Sequence, residues 1–411
     1  MLNCERKLVK VNAVRILEAN KDMRRKIDSS SATIMQVLPN LVAGGVERGT
    51  VDVAKAIING GGRSIVVSSG GPMTNELVRS GSKHIKMNVA SKNPINIWKN
   101  IDRLAKIIKQ NKVDIIHLRS RAPAWSGWFA AKKTNTPFVT TFHGTYSGYN
   151  NLIKRRYNKI MTQGVRVIAI SHFIAGHIRQ RYGVNNSAIR IIPRGFDSEN
   201  FSIQNISHER KIKLAKQWRL PDDKLIVMLP GRLTRWKGQI DFIRAINKLD
   251  LSQIHVLIVG SDQGRVRYKN ELEMEIKKLK LENTVNIIGH CDDMPAAYML
   301  TDVVVSASTE PEAFGRVAVE GQAMGRMVVA TDHGGSKETI LHGRTGWLVE
   351  PNNPNSLADA IKICLNMAPQ ERSVISRNAI THVNSKYTNE LMCLRTLETY
   401  NELLTKNVTS S

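Results

Sequence analysis

The residues best placed to do chemistry lie in Ser308-Thr-Glu-Pro-Glu-Ala-Phe-Gly-Arg-Val-Ala-Val-Glu320, which runs on through Gly321-Gln-Ala-Met-Gly325, the apolar run Met327-Val-Val-Ala330 and Asp332-His-Gly-Gly335. Seven residues separate Glu312 from Glu320. A helix opened by Gly315 would gather Val317, Val319, Met324 and the alanines on one apolar face. Glu320 would then lie inside the helix and Glu312 in the loop before it. Eight residues at helical rise span about 12 Å. That matches the reach from a sugar, across a diphosphate, to a ribose. The first N–H groups of a helix lack internal partners and face anions well. Glu312, the backbone of Ala313, Phe314 and Gly315, and Glu320 together suit the two ends of a nucleotide sugar. The same spacing also fits a solvated acidic pair beside a buried helix. Glu310 rivals Glu312 for the first position, but Phe314-Gly315 and the spacing favour Glu312.

A sugar that leaves a nucleoside diphosphate puts negative charge on that diphosphate, so its transition state calls for fixed positive charge. Leu229-Pro-Gly-Arg-Leu-Thr-Arg-Trp-Lys-Gly238 supplies it. Arg232 and Lys237 follow Gly231 past an apolar run, and Arg235 is a weaker candidate. A basic surface loop is the alternative reading. Pro39-Asn-Leu-Val-Ala-Gly-Gly-Val-Glu47 opens a helix after the first apolar run. Gly44 and Gly45 let a backbone approach a ligand without a Cβ in the way. The stretch lacks both G-x-G-x-x-G and the Walker A Lys-Ser/Thr, which disfavours a dinucleotide or P-loop site. Phe138-Val-Thr-Thr-Phe-His-Gly-Thr-Tyr146 puts His143 at a strand end, where it can face a cleft. His117 also ends an apolar run and reads as structural.

These groups need a scaffold of strand ends. Short apolar runs alternate with amphipathic stretches, the pattern of a parallel doubly wound sheet. Expected strands in the first half are 33–38, 63–68, 114–118, 137–141, 165–170 and 189–192, with helices over 46–59 and 95–110. In the second half they are 225–229, 254–259, 285–288, 303–306 and 327–330. Gly231, Gly260, Gly289 and Gly334-Gly335 fall just past strand ends, where such sheets bind ligands. The polar stretch between Phe196 and Arg210 marks a domain boundary. Leu394, Leu397, Tyr400 and Leu404 recur at helical spacing and predict a final helix. The divisions expected are a basic extension 1–31, a domain 32–200, a domain 201–385 and a terminal helical segment 386–411.

A chain of 411 residues is too long for one ordinary core. No apolar run approaches the roughly 20 residues of a membrane span. The first 31 residues are basic without an apolar h-region, unlike a secretory signal. Cys4, Cys291, Cys364 and Cys393 are scattered, which argues against a disulfide framework and against zinc and suits a reducing cytoplasm. The net charge is +25. Residues 1–206 carry 33 Lys and Arg against 11 Asp and Glu, and from Ile115 to Phe196 there are 13 cations and no carboxylate. Such an asymmetry points to an anionic partner for the first half: a bilayer, a phosphorylated glycolipid or nucleic acid. Tyr149, Leu152-Ile153, Tyr157 and Ile160-Met161 recur at helical spacing with Lys154, Arg155, Arg156 and Lys159 between them. This reads as a basic amphipathic helix suited to an anionic bilayer, or equally as a surface helix with its apolar face in the core.

The Glu312-to-Glu320 block resembles the E-x7-E signature of the family-4 retaining glycosyltransferases. Gly231 to Gly238 resembles that family's G-R-x-x-x-x-K-G loop, and Gly44-Gly45-Val-Glu47 its GG-x-E loop. His143-Gly144, Ile168-Ala-Ile-Ser171 and Ile191-Ile-Pro-Arg-Gly-Phe-Asp197 follow in the family's order. The resemblance spans about residues 33–405. It implies an α/β chain of GT-B fold: two doubly wound, Rossmann-like domains facing a central cleft, the first binding acceptor and the second donor, with the last helix packed on the first. It also implies a retaining, metal-independent transfer from a nucleotide sugar with no cofactor. Arg232 and Lys237 would stabilise the departing diphosphate, Glu312 orient the sugar, Glu320 grip the ribose, and His143 line the reaction centre. The GG loop would lie under the donor phosphate.

With the charge, this suggests a bacterial enzyme in the cytoplasm, peripheral at the inner membrane, that builds lipopolysaccharide or another glycolipid. Nucleic acid is not an expected partner. A sugar-nucleotide epimerase of the same fold and a non-catalytic basic binding protein are the alternatives.

Overall fold

Valine- and isoleucine-rich runs bounded by glycine and polar residues form strands that are covered on both faces, the pattern of parallel sheets. The computed structural model describes residues 32–408 apart from residues 43, 92 and 147–150. The expected extension 1–31 and Tyr149 lie outside the described residues. The chain divides into two units. One holds the described residues through Gly195 together with those from Asn389 onward, and the other is Phe196–Thr388.

In the first unit the strands are β1 (Thr33–Val37), β2 (Arg63–Ser68), β3 (Lys83–Lys86), β4 (Ile115–Leu118), β5 (Phe138–Phe142), β6 (Arg166–Ala169) and β7 (Ile189–Ile191). They form one parallel sheet in the order β3-β2-β1-β4-β5-β6-β7. The order reverses between β1 and β4, and a crevice opens outside the C-terminal ends of strands at such a point. The helix Gly45–Asn59 starts there, directly after β1. On one face of the sheet Ile34, Ile115, Val139, Ile168 and Ile192 share a core with Val53 and Ile57 of that helix. The same core takes Met392, Cys393, Leu397, Tyr400 and Leu403 of the helix Asn389–Val408. His117 is buried in β4, its Nδ1 2.6 Å from the Tyr400 hydroxyl and its Nε2 2.6 Å from Thr141 Oγ1. Both ring nitrogens are engaged, so His117 fastens the last helix to the sheet.

The second unit repeats the plan with β8 (Leu225–Pro230), β9 (Ile254–Val259), β10 (Val285–Ile288), β11 (Val303–Ser306), β12 (Met327–Thr331) and β13 (Trp347–Val349). They are parallel and ordered β10-β9-β8-β11-β12-β13. Here the reversal lies between β8 and β11. One core layer holds Val227, Leu229, Phe242, Ile258, Val305 and Ile361. The other holds Met228, Leu257, Tyr298, Val304, Met324 and Val328. Each such side chain contributes about 1.5–3 kcal/mol by leaving water. An exposed ion pair contributes about 0–1 kcal/mol. The apolar layers therefore hold a chain whose net charge of +25 opposes compaction.

Two strands were not expected. β3 reads Lys-His-Ile-Lys and lies at a sheet edge, half exposed. Edge strands carry lysines that discourage further pairing, and this removes the apolar signal. β13 has three residues at the other sheet's edge. The division between units falls at Gly195/Phe196 and Thr388/Asn389 rather than at 200/201 and 385/386. Its cause is a bridge: Phe196 pairs with Thr388, and Phe196 N–H donates to the Tyr387 carbonyl at 2.9 Å. The basic helix also differs from expectation. It covers only Leu152–Asn158, then tightens to a 3-10 turn over Lys159–Thr162. Ile160 and Met161 are buried in that turn, whereas Leu152 and Ile153 are exposed. The expected single apolar stripe is thus split between core and solvent.

Candidate functional site

At the β8–β11 reversal two loops meet. The first leaves β8 through Gly231 and Arg232 and closes in the 3-10 turn Arg235–Lys237. The second leaves β11 through Ser308 and reaches Glu312. Their backbones touch: Thr309 N–H donates to the Trp236 carbonyl at 2.8 Å. A Cβ on Gly238 would stand 1.8 Å from the Ala307 carbonyl oxygen, so only glycine fits. This closeness brings Lys237 Nζ onto Glu312 Oε1. Ser308 Oγ donates to the same oxygen at 2.6 Å. Both side chains of the ion pair are 12% exposed. Gly231 lies under the lysine, with the Cδ 3.6 Å from where its Cβ would be. Arg232 is exposed. Arg235 points elsewhere, pairing with Glu271 and lying over the Tyr268 ring at 5.2 Å. Glu310 is exposed, so Glu312 is the carboxylate of this loop that meets the lysine.

The chain then turns through buried Phe314 and through Gly315, whose φ of 91° suits only glycine, into the helix Arg316–Ala323. Gly335 N–H donates to the Glu312 carbonyl at 2.7 Å and braces the turn from the β12 side. Glu320 is 7% exposed within that helix. Its Oε1 accepts from Arg316 Nη2 at 2.6 Å and Nε at 3.1 Å, and its Oε2 accepts from the Tyr298 hydroxyl at 3.1 Å. Tyr298 is fully buried; burial first, then the Glu320 charge and hydrogen bond, push its phenol well above the usual 10. The structure joins Lys237 to Glu312 but gives Glu320 separate partners. This follows from the helix, which begins only at Arg316 and leaves Glu312 in the loop.

The equivalent reversal in the first unit is built differently. Gly44 has φ 133° and precedes the helix Gly45–Asn59. Arg119 follows β4, His143 follows β5 and Arg194 follows β7. Arg194 Nη1 donates to the Gly45 carbonyl, and its Nη2 lies 2.9 Å from His143 Nδ1. Arg119 Nη1 donates to Gln36 Oε1 at 2.7 Å. A Cβ on Gly49 would stand 3.1 Å from Arg194 Nη1 and 3.3 Å from Arg119 Nη2, so this glycine makes room for both guanidiniums. His143 is held well below the usual 6.5 by burial and then by the charges of Arg194, Arg119 and His117. Gly44, Gly45 and His143 are therefore gathered through Arg194. Lys154, Arg155 and Arg156 are exposed on the short helix, and Lys159 is exposed in the turn after it. Asn151 caps that helix by accepting from Lys154 N–H at 3.0 Å.

Sequence reasoning passed over Ser308, Tyr298, Arg119 and Arg194. Tyr298 and Arg194 act across 22 and 51 residues, where no local periodicity reports a partner. The one available signal for Arg119 and Arg194 was position: each follows a strand end within the stretch devoid of carboxylates.

Two family models match the chain. The model described as "Glycosyl transferases group 1" covers residues 210–382, and that described as "Glycosyltransferase Family 4" covers residues 43–200. A solved glycosyltransferase from Rickettsia africae ESF-5 is 40% identical, with TM-score 0.85, over 92% of this chain and 99% of that one. Anabaena Alr3699/HepE, solved in complex with UDP-glucose, is 25% identical with TM-score 0.78, over 90% of this chain and 99% of that one. The lipopolysaccharide 1,2-N-acetylglucosaminetransferase of Salmonella typhimurium is 28% identical over 56% of this chain and 60% of its own length. Both sheets, their order and these matches agree: the chain belongs to the group 1, family 4 glycosyltransferases and has their GT-B fold of two Rossmann-like domains.

Proposed function

We propose that this glycosyltransferase takes a sugar from a nucleotide-sugar donor, retains the anomeric configuration and needs no metal. The observation that carries the reading is the part-buried contact of Lys237 with Glu312, braced by Ser308. It sets a cation for phosphate beside a carboxylate for sugar hydroxyls. In the reaction the bond from the anomeric carbon to the diphosphate oxygen breaks, and charge gathers on the diphosphate. Lys237 and Arg232 meet that charge. Glu312 accepts from hydroxyls of the donor sugar, and Glu320 accepts from the ribose. The backbone of Ala313, Phe314 and Gly315 faces the phosphates. With retention, the acceptor oxygen takes the face that the diphosphate leaves, and its proton departs with the diphosphate. The UDP-glucose held by Alr3699/HepE supports a nucleotide-sugar donor.

The acceptor we propose is a lipopolysaccharide or other glycolipid precursor, met by a bacterial enzyme at the cytoplasmic face of the inner membrane. The Salmonella relative and the basic first unit support this. Among the described residues no helix is long and apolar enough to cross a membrane. Contact would instead run through surface cations, including Lys154, Arg155, Arg156 and Lys159, each contributing about 1 kcal/mol near an anionic surface.

One experiment covers donor and surface. The protein is incubated with a panel of UDP-, GDP- and ADP-sugars, with and without EDTA and anionic liposomes. Expected are release of nucleoside diphosphate from one donor class, unchanged by EDTA, and a product whose anomeric signal matches the donor's. Liposome binding should fall as salt rises and fall again when the four cations become Gln. EDTA-sensitive activity restored by magnesium would overturn the metal-independent reading. An inverted product would overturn retention, and an isomerised donor with no diphosphate released would overturn transfer altogether. Tight RNA or DNA binding with no liposome binding would overturn the membrane reading.

A further inference from the structure

Arg194 is the residue that touches the most of the first unit's candidate groups, and no role has been given to it so far. It is 8% exposed. Its Nη1 donates to the Gly45 carbonyl while its Nη2 lies 2.9 Å from His143 Nδ1. A guanidinium has five donors, no acceptor, and keeps its charge. Nδ1 must therefore accept, and the ring proton belongs on Nε2. A ring protonated at both nitrogens would aim an N–H at the guanidinium's own N–H. His143 Nε2 is out of solvent and no group meets it at full hydrogen-bond geometry, the Arg119 backbone exerting only a weak pull on the ring. Buried donors are nearly always satisfied, so a bare one in a native site calls for an acceptor that arrives later.

We propose that Arg194 is a positioning residue that holds His143 as the neutral Nε2–H form and fastens it to the Gly44-Gly45 turn, so that His143 gives a hydrogen bond to a substrate oxygen and does not act as a base. This rests on the reading of His143 as a residue of the reaction centre. The surrounding groups act in the same direction. Burial, then Arg194, Arg119 and His117, hold the ring well below 6.5, against a smaller opposing pull from the Arg119 backbone. Arg119 stands at the end of β4 and feels Asp52 and Glu47 of the facing helix. His117, inside β4, is itself held well below 6.5 by burial and Arg119. Tyr146, in the loop after β5, is pushed up to about 12, chiefly by burial, and carries no charge at neutral pH. The nearest cations thus all disfavour a second proton on His143. A histidine of this kind supplies direction rather than proton transfer, because both its tautomer and its orientation are set by its neighbour.

The test is nitrogen NMR of histidine-labelled protein, with the His143 signals assigned by their loss in His143→Gln. Wild type should show a neutral ring protonated at Nε2 at neutral pH and on into mild acid, and a kcat profile without an ionisation from this residue there. In Arg194→Met the ring should sample both tautomers, titrate higher, towards its ordinary value, and add an acid limb to kcat. Arg194→Lys, a point donor without the fork, should restore the charge effect but not the single tautomer. His143→Gln, which keeps an N–H near the Nε2 position, should retain more transfer than His143→Phe. A wild-type ring found protonated at Nδ1 at pH 7, or an unchanged tautomer and titration in Arg194→Met, would overturn the proposal. Should Arg194→Met not fold, the wild-type spectrum alone decides between these outcomes. Wild-type transfer rates in His143→Phe alongside the expected spectrum would instead sink the assignment of His143 to the reaction centre, and with it the substrate contact, while the Arg194 tautomer lock stood.

Discussion

The two units use one topology and arm it in opposite ways. In each, the sheet order reverses beside its first strand, and the loops that follow the two flanking strands converge. In the second unit the reversal pairs cations with carboxylates: Lys237 with Glu312, and Arg316 with Glu320. In the first, Arg119 donates to Gln36, and Arg194 reaches both the Gly45 carbonyl and His143. A cation already paired can exchange its carboxylate for a phosphate, and the carboxylate is then released to bind hydroxyls. A guanidinium that grips a backbone carbonyl and an imidazole at once serves instead to orient them. The fold supplies the place; the residues after the strand ends decide whether that place trades charges or fixes geometry.

The largest effect expected from this contrast belongs to Lys237. Lys237→Ala should lower the chemical step about 100–1,000-fold, the usual cost of losing one group that meets developing charge. It should weaken binding of the free nucleoside far less. Glu312→Gln sharpens the comparison. It frees Lys237 from its partner, so pyrophosphate should bind more tightly even though sugar transfer falls. Weaker pyrophosphate binding in Glu312→Gln, measured by calorimetry, would break the idea of charge exchange in the second unit.

The next effect is on stability in acid. His117 and His143 are held well below 6.5, chiefly by burial. Below pH about 6.5 the unfolded chain protonates each while the folded chain does not, so stability falls with falling pH, by up to about 1.4 kcal/mol per pH unit for each histidine. Both lie in the first unit, which should therefore loosen before the second. Urea unfolding followed between pH 7 and pH 5 checks this. His117→Gln should flatten the slope by nearly one proton even though it lowers stability overall; an unchanged slope would show that His117 is not the group that titrates.

The smallest effect concerns Tyr298. Removing its hydroxyl leaves Glu320 with Arg316 alone. Tyr298→Phe should cost about 1 kcal/mol of stability and weaken nucleotide binding a few-fold, with little change in kcat. A large loss of kcat would mean that Tyr298 reaches the reacting atoms, against the present account of it as a support for Glu320.

The strands that build both sheets were legible where burial is symmetric. β9 and β11, buried along their whole length, span the stretches expected of them. At sheet edges, as in β3, lysines replace the apolar signal. The helix after Asn151 misled because its apolar residues recur at helical spacing, yet Asn158 ends the helix and turns Ile160 and Met161 into the core. In the candidate site, the placement of Gly231, Lys237, Glu312 and Gly315 past strand ends could be read directly. Their partners could not. That Ser308 braces Glu312, that Tyr298 reaches Glu320 and that Arg194 reaches His143 depends on how strands from distant parts of the chain line up.

The division of the chain at Phe196 and Thr388 also has a consequence in time. The first sheet is complete once Ile191 has been made, but the helix Asn389–Val408 that covers one of its faces comes after the whole second unit. His117 waits 283 residues for the Tyr400 hydroxyl. At about 5–20 residues per second, the whole of the second unit emerges during that wait, which lasts on the order of 10–60 s. Until it ends, Ile34, Ile115, Val139, Ile168 and Ile192, as each is made, lack Leu397, Tyr400 and Leu403 to cover them. The nascent first unit is therefore an open-faced sheet until the helix Asn389–Val408 has been made.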